Sequence, residues 1–280
     1  MSGILLALAA SLSWGFADFG AGVAARRVTV SLVIVGSQAA GLVFVALVLA
    51  LVRPDLPALV HVGDAALAGA FGALGLFAFY RGLAVGAMSI VGPISATGAI
   101  VPLTYGLARG ERPSALQLVG VALAVVGVIA AAVEAHGATD RSRIGAGVGL
   151  ALLAAVGFGS SILFLSKASA GGDALWAPLT MRGVTVPAVV LMMLVLRMPA
   201  TGLRASLWLL AGVGVCDTGA NLLFALATSR GLLSVVAVLA SLYPVVLVIL
   251  ARTLLKERIA LHQLGGVAVA LTGVALISAG

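Results

Sequence analysis

Residues 241–274 read SLYPVVLVILARTLLKERIALHQLGGVAVALTGV, and residues 95–128 read SATGAIVPLTYGLARGERPSALQLVGVALAVVGV. The second stretch lies 146 positions before the first, and the two keep a Glu-Arg pair, a Gln-Leu pair and two glycines in register. The matched positions include Ser95 and Ser241, Glu111 and Glu257, Arg112 and Arg258, Gln117 and Gln263, Gly120 and Gly266, and Gly127 and Gly273. Because chance does not preserve such a spaced set, we interpret the chain as two copies of one unit.

The composition places both copies in a lipid bilayer. The 280 residues are 62% hydrophobic and 9% charged, with a mean hydropathy of +1.24, whereas soluble domains are about 25% charged. Apolar runs of about 20 residues recur between polar breaks, which is the length that an α-helix needs to cross the hydrocarbon. Since backbone groups in lipid must be bonded within their own segment, the predicted fold class is all-α integral membrane. The net charge of +7 sits mostly in the breaks and indicates topology, so no nucleic-acid partner is expected.

Ten transmembrane helices are predicted, five in each unit. The first unit, residues 1–133, holds helices at about 3–24, 30–52, 64–85, 88–108 and 114–133. A polar linker covers 134–145, and the second unit, 146–280, holds helices at about 146–168, 174–196, 205–228, 231–252 and 261–279. Because five is an odd number, the second unit enters the membrane from the opposite side, which predicts an inverted-topology repeat.

The end of the fourth helix in the second unit carries a recognisable motif. Ser-Leu-Tyr-Pro at 241–244 is followed by Leu-Leu-Lys-Glu-Arg at 254–258 and by a glycine-spaced fifth helix. This pattern resembles the EamA-like repeat of the drug/metabolite transporter superfamily, and the resemblance covers residues 3–133 and 146–279. It implies a ten-helix carrier, usually an exporter of amino acids or other small metabolites, driven by an ion gradient or by substrate exchange. Pro93 and Pro244 lie in the two fourth helices, where a proline permits a gating kink.

Two indicators of membrane orientation conflict. The loops after odd-numbered helices hold ten basic residues, and the loops after even-numbered helices hold five. Positive-inside counting therefore places both termini outside the cytoplasm. The resemblance implies instead that both termini are cytoplasmic, in the inner (plasma) membrane, and we adopt that orientation.

Charged side chains inside the predicted helices are the main functional candidates, because each costs about 2.5–3.5 kcal/mol at the membrane centre. Asp18 follows Trp14 by one helical turn, and a carboxylate beside an aromatic ring suits a cationic or amino-bearing ligand. Asp217 and Asn221 share a helix face in the same way. Asp18 and Asp217 are the predicted proton-coupling residues, since intramembrane carboxylates form proton relays. The alternative is that each carboxylate pairs with an arginine and only holds helices together.

Two arginines are available inside the predicted helices. Arg81 lies near a helix end, where its side chain can reach the membrane interface. Arg182 lies about nine residues into the seventh helix, below Trp176. Its guanidinium has the geometry to hold a carboxylate, so Arg182 is the stronger binding candidate.

The other predicted substrate-binding residues are uncharged. They are Gln38, Tyr80, Phe158, Ser160, Trp176 and Tyr243. Phe158 occupies the position equivalent to Trp14, so both are predicted to form the cavity wall. Gln38 and Ser160 have the alternative role of joining helices by hydrogen bonds, and Trp176 that of an interfacial aromatic.

Two glutamates are predicted to be structural. Glu111 and Glu257 occupy the turns before the fifth and tenth helices. A carboxylate near a helix N-terminus is stabilised by the helix dipole, so capping is preferred over a transport role.

The predicted function is an alternating-access carrier that exports a small metabolite, such as an amino acid or an amphipathic cation, driven by a proton gradient or by exchange. The expected partners are the substrate and the lipid bilayer, with the protein a monomer or homodimer and no cofactor or metal. A membrane-embedded lipid or prenyl transferase is an alternative, but the nine carboxylates include no DxxD cluster for a metal diphosphate. A non-transporting assembly partner is the third possibility.

Overall fold

The regular secondary structure is helical throughout the described part of the chain. The computed structural model describes residues 2–25, 28–85, 94–95, 97–132, 141–170, 174–197, 203–254 and 261–279, and these ranges contain no strand. In the first half the helices are α1 (Ser2–Ala25), α2 (Val30–Val52), α3 (Leu59–Val85), α4 (Ile100–Ala108) and α5 (Ala115–Ala132). In the second half they are α6 (Arg141–Ala168), α7 (Trp176–Val195), α8 (Leu203–Thr228), α9 (Leu233–Ala240), α10 (Tyr243–Leu254) and α11 (Leu261–Ala279). A 3₁₀ turn, Thr97–Ala99, leads directly into α4.

Most predicted helices agree with these bounds to within two residues, and three differ more at their starts. The predicted fourth helix, 88–108, corresponds to α4 with the 3₁₀ turn before it, and residues 86–93 and 96 lie outside the described residues. Helix α3 begins at Leu59 instead of 64, where the carbonyl of Ala58 accepts from the N–H groups of His61 and Val62. Helix α6 begins at Arg141, so it includes residues 141–145 of the predicted linker. The rest of that linker, 134–140, lies outside the described residues.

The predicted ninth helix is two helices in the structure. Helix α9 ends at Ala240, a turn follows at Ser241 and Leu242, and α10 begins at Tyr243. Pro244 is the second residue of α10, where its missing N–H removes no hydrogen bond because the first N–H groups of a helix have no partner within it. The interruption lies next to the predicted kink at Pro244, whereas Pro93 lies outside the described residues.

The most extensive helix contacts join one half of the chain to the other. Helix α1 packs against α8, and the equivalent pair is α6 against α3. Likewise α5 packs against α11, α2 against α7 and α4 against α9. The α1–α8 and α3–α6 contacts are therefore equivalent to each other when the two halves are exchanged. The α5–α11 and α2–α7 contacts each join a helix to its own equivalent in the other half, and the α4–α9 contact joins parts of the equivalent fourth helices of the two units.

The equivalent helices α5 and α11 run antiparallel in close contact. A Cβ atom on Gly120, early in α5, would lie 2.7 Å from the carbonyl oxygen of Gly273, late in α11. A Cβ atom on Gly127, late in α5, would lie 2.7 Å from the carbonyl oxygen of Gly266, early in α11. Small residues permit such close backbone packing between membrane helices. These two equivalent helices thus point in opposite directions.

Six helices in the described residues are long and apolar enough to cross a membrane. Their spans are Ser2–Ala24, Ser31–Val52, Leu59–Phe79, Gly147–Ala168, Trp176–Val195 and Ser206–Thr228. Shorter apolar helices cover Thr97–Ala108, Ala115–Gly127 and Leu264–Ile277. Large apolar side chains point outward from the bundle, with Trp208 exposed over 92% and Leu59 over 88% of their surfaces. An apolar outer surface of this kind is what a lipid environment requires.

Candidate functional site

A cavity of about 140 Å³ lies between the two halves of the chain. Its polar lining comes from Asp18, Gln38, Ser95, Ser161, Arg182, Thr185, Asp217, Asn221, Ser241 and Tyr243. Its larger apolar lining residues are Trp14, Leu76, Phe79, Phe158, Ile162 and Met181. The lining draws on α1, α2, α3, α6, α7 and α8, together with Ser95, the 3₁₀ turn before α4 and the turn between α9 and α10. Both halves of the chain therefore contribute to the cavity wall.

Arg182 is held by three side chains from two other helices. Its Nη2 lies 2.7 Å from Oδ2 of Asp217, and its Nε donates to Oγ1 of Thr218 at 3.1 Å. Its Nη1 donates to Oε1 of Gln38. The Gln38 amide nitrogen in turn donates to Oδ2 of Asp217 at 3.0 Å. The guanidinium is therefore paired and hydrogen-bonded within the protein, with only 2% of the Arg182 side chain exposed.

Asp217 and Asn221 lie on the same face of α8, as their spacing of four residues predicts. The Asn221 side-chain nitrogen donates to the backbone oxygen of Asp217 at 2.8 Å. The Asp217 side chain remains 23% exposed, so one side of its carboxylate reaches the cavity while the other holds Arg182.

Asp18 has neither an ion pair nor a hydrogen bond with any residue in the described ranges. Its carboxylate lines the cavity and lies near enough to Asp217 for the two to repel each other. The Tyr243 hydroxyl lies near enough to Asp18 for the two groups to interact electrostatically. One turn before Asp18, the Trp14 ring packs against Phe224 with centroids 6.0 Å apart. Within the described part of the chain, the Asp18 carboxylate therefore has two aromatic side chains near it and no partner.

The equivalent aromatics Trp14 and Phe158 both line the cavity, from opposite halves. Phe158 meets Phe79 edge to face, with ring centroids 5.8 Å apart. This contact fixes the Phe158 ring at the wall, because an aromatic pair of this geometry contributes about 0.5–1.5 kcal/mol beyond its buried area.

Several predicted site residues lie elsewhere. Ser160 is not in the lining, and its neighbour Ser161 takes that place, with its Oγ donating to the Ala68 carbonyl at 2.7 Å. Trp176 begins α7 away from the cavity, where its Nε1 donates to the carbonyl of Asp55 at 2.6 Å. Tyr80 belongs to α3, but its side chain lies outside the described residues.

Glu111 caps a helix of the other half. Its two carboxylate oxygens accept from the backbone N–H groups of Leu233 at 2.8 Å and Ser234 at 2.9 Å. These groups open α9, whereas the sequence placed Glu111 at its own fifth helix. At that fifth helix, α5, Ser114 and Gln117 instead form a reciprocal cap, with each residue's backbone N–H donating to the other's side-chain oxygen. Glu257 lies outside the described residues.

Sequence reasoning missed four polar members of the site. Thr218 follows Asp217, Thr185 lies three residues after Arg182 on the same face, and Ser95 and Ser241 are matched positions of the internal repeat. The helical spacing was a usable signal for Thr185. The Ser95/Ser241 match was also usable, because equivalent positions of the two halves converge on the cavity.

Fold and site together define a class: a helical protein whose two equivalent halves enclose a cavity lined, among the described residues, by one buried ion pair and one carboxylate without a partner. The EamA-like transporter family model matches residues 1–133 and 145–279. The chain belongs to the EamA-like transporter family, with one family repeat in each half. Together with its long apolar helices, this makes it a multi-pass membrane protein of a family of transporters.

Structural comparison gives a similar fold with a divergent sequence. One crystal structure covers 99% of this chain and 98% of its own length, with a TM-score of 0.78 and 16% sequence identity. At that identity the similarity shows the fold alone. No curated protein matches the sequence.

Proposed function

We propose that the protein is a secondary active transporter that exports a small metabolite, such as an amino acid or an amphipathic cation, by alternating access. The observation that carries this proposal is the cavity between the two halves, which holds Asp18, Arg182 and Asp217 among apolar helices. Charged side chains within a membrane bundle mark substrate and ion pathways, because their insertion cost must be offset by a function or a partner. In the two main conformations of the exporter, this cavity would open to opposite sides of the membrane.

The antiparallel packing of equivalent helices supports an inverted-topology repeat of ten membrane-spanning segments. In this arrangement α9 and α10 together form one segment, and the 3₁₀ turn with α4 belongs to its equivalent. Inverted repeats give a carrier two conformations of similar energy, related by exchanging the roles of the halves, around one fixed site. The turn at Ser241 and Leu242 lies at the cavity and gives the segment a hinge point next to Pro244.

Asp18 and Asp217 are the proposed proton-coupling residues. A carboxylate can carry a proton only if it alternates between partners during the cycle. Asp18 lacks a partner in the described residues, and Asp217 would exchange its partner Arg182 for a proton. Exchange of one substrate for another is the other possible driving reaction, and the same carboxylates would serve it.

The proposed location is the inner (plasma) membrane, with both termini cytoplasmic. The protein would act there as a monomer or homodimer whose partners are the substrate and the bilayer. Accessibility labelling of single cysteines placed at residue 2 and at residue 279 would test the orientation, after Cys216 is replaced by serine.

Flux into reconstituted vesicles tests the transport proposal. Labelled amino acids and organic cations are offered to purified protein in liposomes, with and without a pH gradient. We expect uptake of at least one compound, loss of that uptake in Arg182→Gln, and normal uptake in Arg81→Gln, which removes an arginine exposed near the end of α3. Absence of flux for every compound under both conditions would contradict the proposal.

A further inference from the structure

One carboxyl group among the cavity's described lining residues has no compensating cation. Three of these lining residues have acidic or basic side chains: Asp18, Arg182 and Asp217. Arg182 and Asp217 form an ion pair at 2.7 Å, and their charges cancel. The remaining carboxyl belongs to Asp18. With Asp18 ionised, a bound monocation would bring these groups to neutrality, whereas a zwitterion would leave the net charge unchanged and an anion would double it.

Arg182 is unavailable to a substrate carboxylate in this conformation. Its Nε, Nη1 and Nη2 atoms each donate to a protein side chain, and the side chain is 2% exposed. A substrate carboxylate would have to displace Asp217 from the guanidinium, and would then leave that aspartate without its cation. Leaving a buried charge unpaired is strongly unfavourable. The described lining residues thus include no free cationic group for the acidic end of an amino acid.

The surroundings of Asp18 suit a positively charged amine. Trp14 lies one turn away on the same face of α1, and Tyr243 lines the cavity beside the carboxylate. Indole and phenol faces attract cations, and the attraction strengthens when the cation is removed from water. An ammonium group at Asp18 would gain both the carboxylate and the ring faces.

The volume limits the rest of the ligand. A buried apolar cavity of about 150 Å³ binds benzene, and the cavity here is about 140 Å³. Phe158, Phe79 and Met181 supply apolar lining. One aromatic ring, or an aliphatic group of the same size, is therefore the largest apolar body that this volume suits.

We infer that the cavity binds a small monocationic amine that has no carboxylate, with Asp18 as its counter-ion and an apolar body about the size of one ring. This inference rests on the proposed transport function and selects the cation from the two substrate classes named there. In this conformation the pairing of Arg182 with Asp217 keeps the carboxylate of competing amino acids out of the site.

Four ligands that each contain one aromatic ring but differ in charge test which ligand charge the cavity prefers. Benzylamine is a cation, phenylglycine adds a carboxylate to it, benzyl alcohol is its neutral counterpart and benzoate is an anion. Titration calorimetry on the purified full-length protein at pH 7 should give tightest binding for benzylamine, with each of the others at least tenfold weaker. Asp18→Asn should weaken benzylamine binding about 10- to 100-fold, since a hydrogen bond to a charged group contributes about 1.5–3 kcal/mol. Asp64→Asn, which removes a carboxylate outside the cavity lining, should leave that binding unchanged.

The ranking in the unmodified protein decides the inference even if Asp18→Asn fails to fold. Phenylglycine binding as tightly as benzylamine would overturn it, as would the absence of benzylamine binding. Amino-acid flux through vesicles without benzylamine binding would reject the amine site and keep the carrier. Benzylamine binding that depends on Asp18, with no flux of any compound, would keep the amine site and reject the carrier.

Discussion

The interfaces α1–α8 and α3–α6 are equivalent in the two halves of the chain, yet among the described lining residues only the first contributes carboxylates to the cavity. Asp18 of α1 corresponds to Ile162 of α6, and Asp217 of α8 corresponds to Phe71 of α3. Ile162 lines the cavity as an apolar residue, while Phe71 stacks on Phe164 with ring centroids 5.5 Å apart. The two halves therefore share a helical framework, but the carboxylates of the cavity are distributed unequally between its two equivalent interfaces.

Each of these interfaces is also associated with one ion pair, in contrasting surroundings. Arg182 and Asp217 pair at the cavity wall, with 2% and 23% of their side chains exposed. Lys167 and Asp64 pair at one end of α3–α6 at 3.2 Å, with 38% and 15% exposed. Since solvent screens exposed charges, the two pairs should differ sharply in their contribution to stability.

The largest effect is expected at Arg182. Arg182→Gln should lower the free energy of unfolding by about 3 kcal/mol, because Asp217 is left without its cation in an apolar bundle. Equilibrium unfolding in mixed detergent micelles measures this. The double variant Arg182→Gln/Asp217→Asn should recover most of the loss, since neutral groups of similar shape replace both charges. A double variant as unstable as the single one would mean that the hydrogen bonds, not the charges, hold this region.

An intermediate effect is expected where α3 and α6 touch through their backbones. A Cβ atom on Gly157 would lie 2.7 Å from both N and Cα of Gly75, so Gly157→Ala must push the helices apart and should cost about 2 kcal/mol. On α1–α8, a Cβ atom on Gly20 would first meet the Val213 side chain at 2.9 Å. A side chain can move, so Gly20→Ala should cost under about 1 kcal/mol. Thermal unfolding of both variants compares them, and equal losses would show that the two interfaces are equally rigid.

The smallest effect is expected at Lys167. Lys167→Met removes the exposed pair with Asp64 and the contact of the ammonium group with the Phe164 ring at 4.9 Å. Such partly exposed interactions contribute about 0–1 kcal/mol, and methionine keeps the apolar stem. The unfolding free energy should therefore change by less than about 1 kcal/mol in the same assay. A loss of unfolding free energy comparable to that of Arg182→Gln would show that the exposed pair contributes as much to stability as the buried pair.

The helices could be predicted from the sequence because apolar run lengths report membrane-spanning segments directly. The break between α9 and α10 was missed, since Ser241 and Leu242 interrupt no apolar run and Pro244 marks the position only approximately. Backbone hydrogen bonding, which hydropathy does not measure, decides where such a helix stops.

The charged members of the site could also be predicted, because the cost of a charge in lipid singles out Asp18, Arg182 and Asp217. Their partners could not. Gln38 bonds residues 144 and 179 positions away, so its place in the network follows from the packing of α2 between α7 and α8. Adjacent residues differ by about 100° around a helix, so Ser161 faces the cavity and Ser160 does not. The sequence alone does not reveal which of the two serines faces inward.

The main packing partner of α1 lies in the other half of the chain. This separation affects the order in which the helices can pack during biosynthesis. Ser13 of α1 donates to the carbonyl of Cys216 across 203 positions, and the chain is made from its N-terminus. Helix α1 therefore waits in the bilayer through the synthesis of six further helices before α8 arrives to cover it. Contacts so distant in sequence form slowly and leave faces exposed to misassembly meanwhile. Quality control of this protein thus depends on its second half, and a premature stop between α7 and α8 would leave α1 without its main partner.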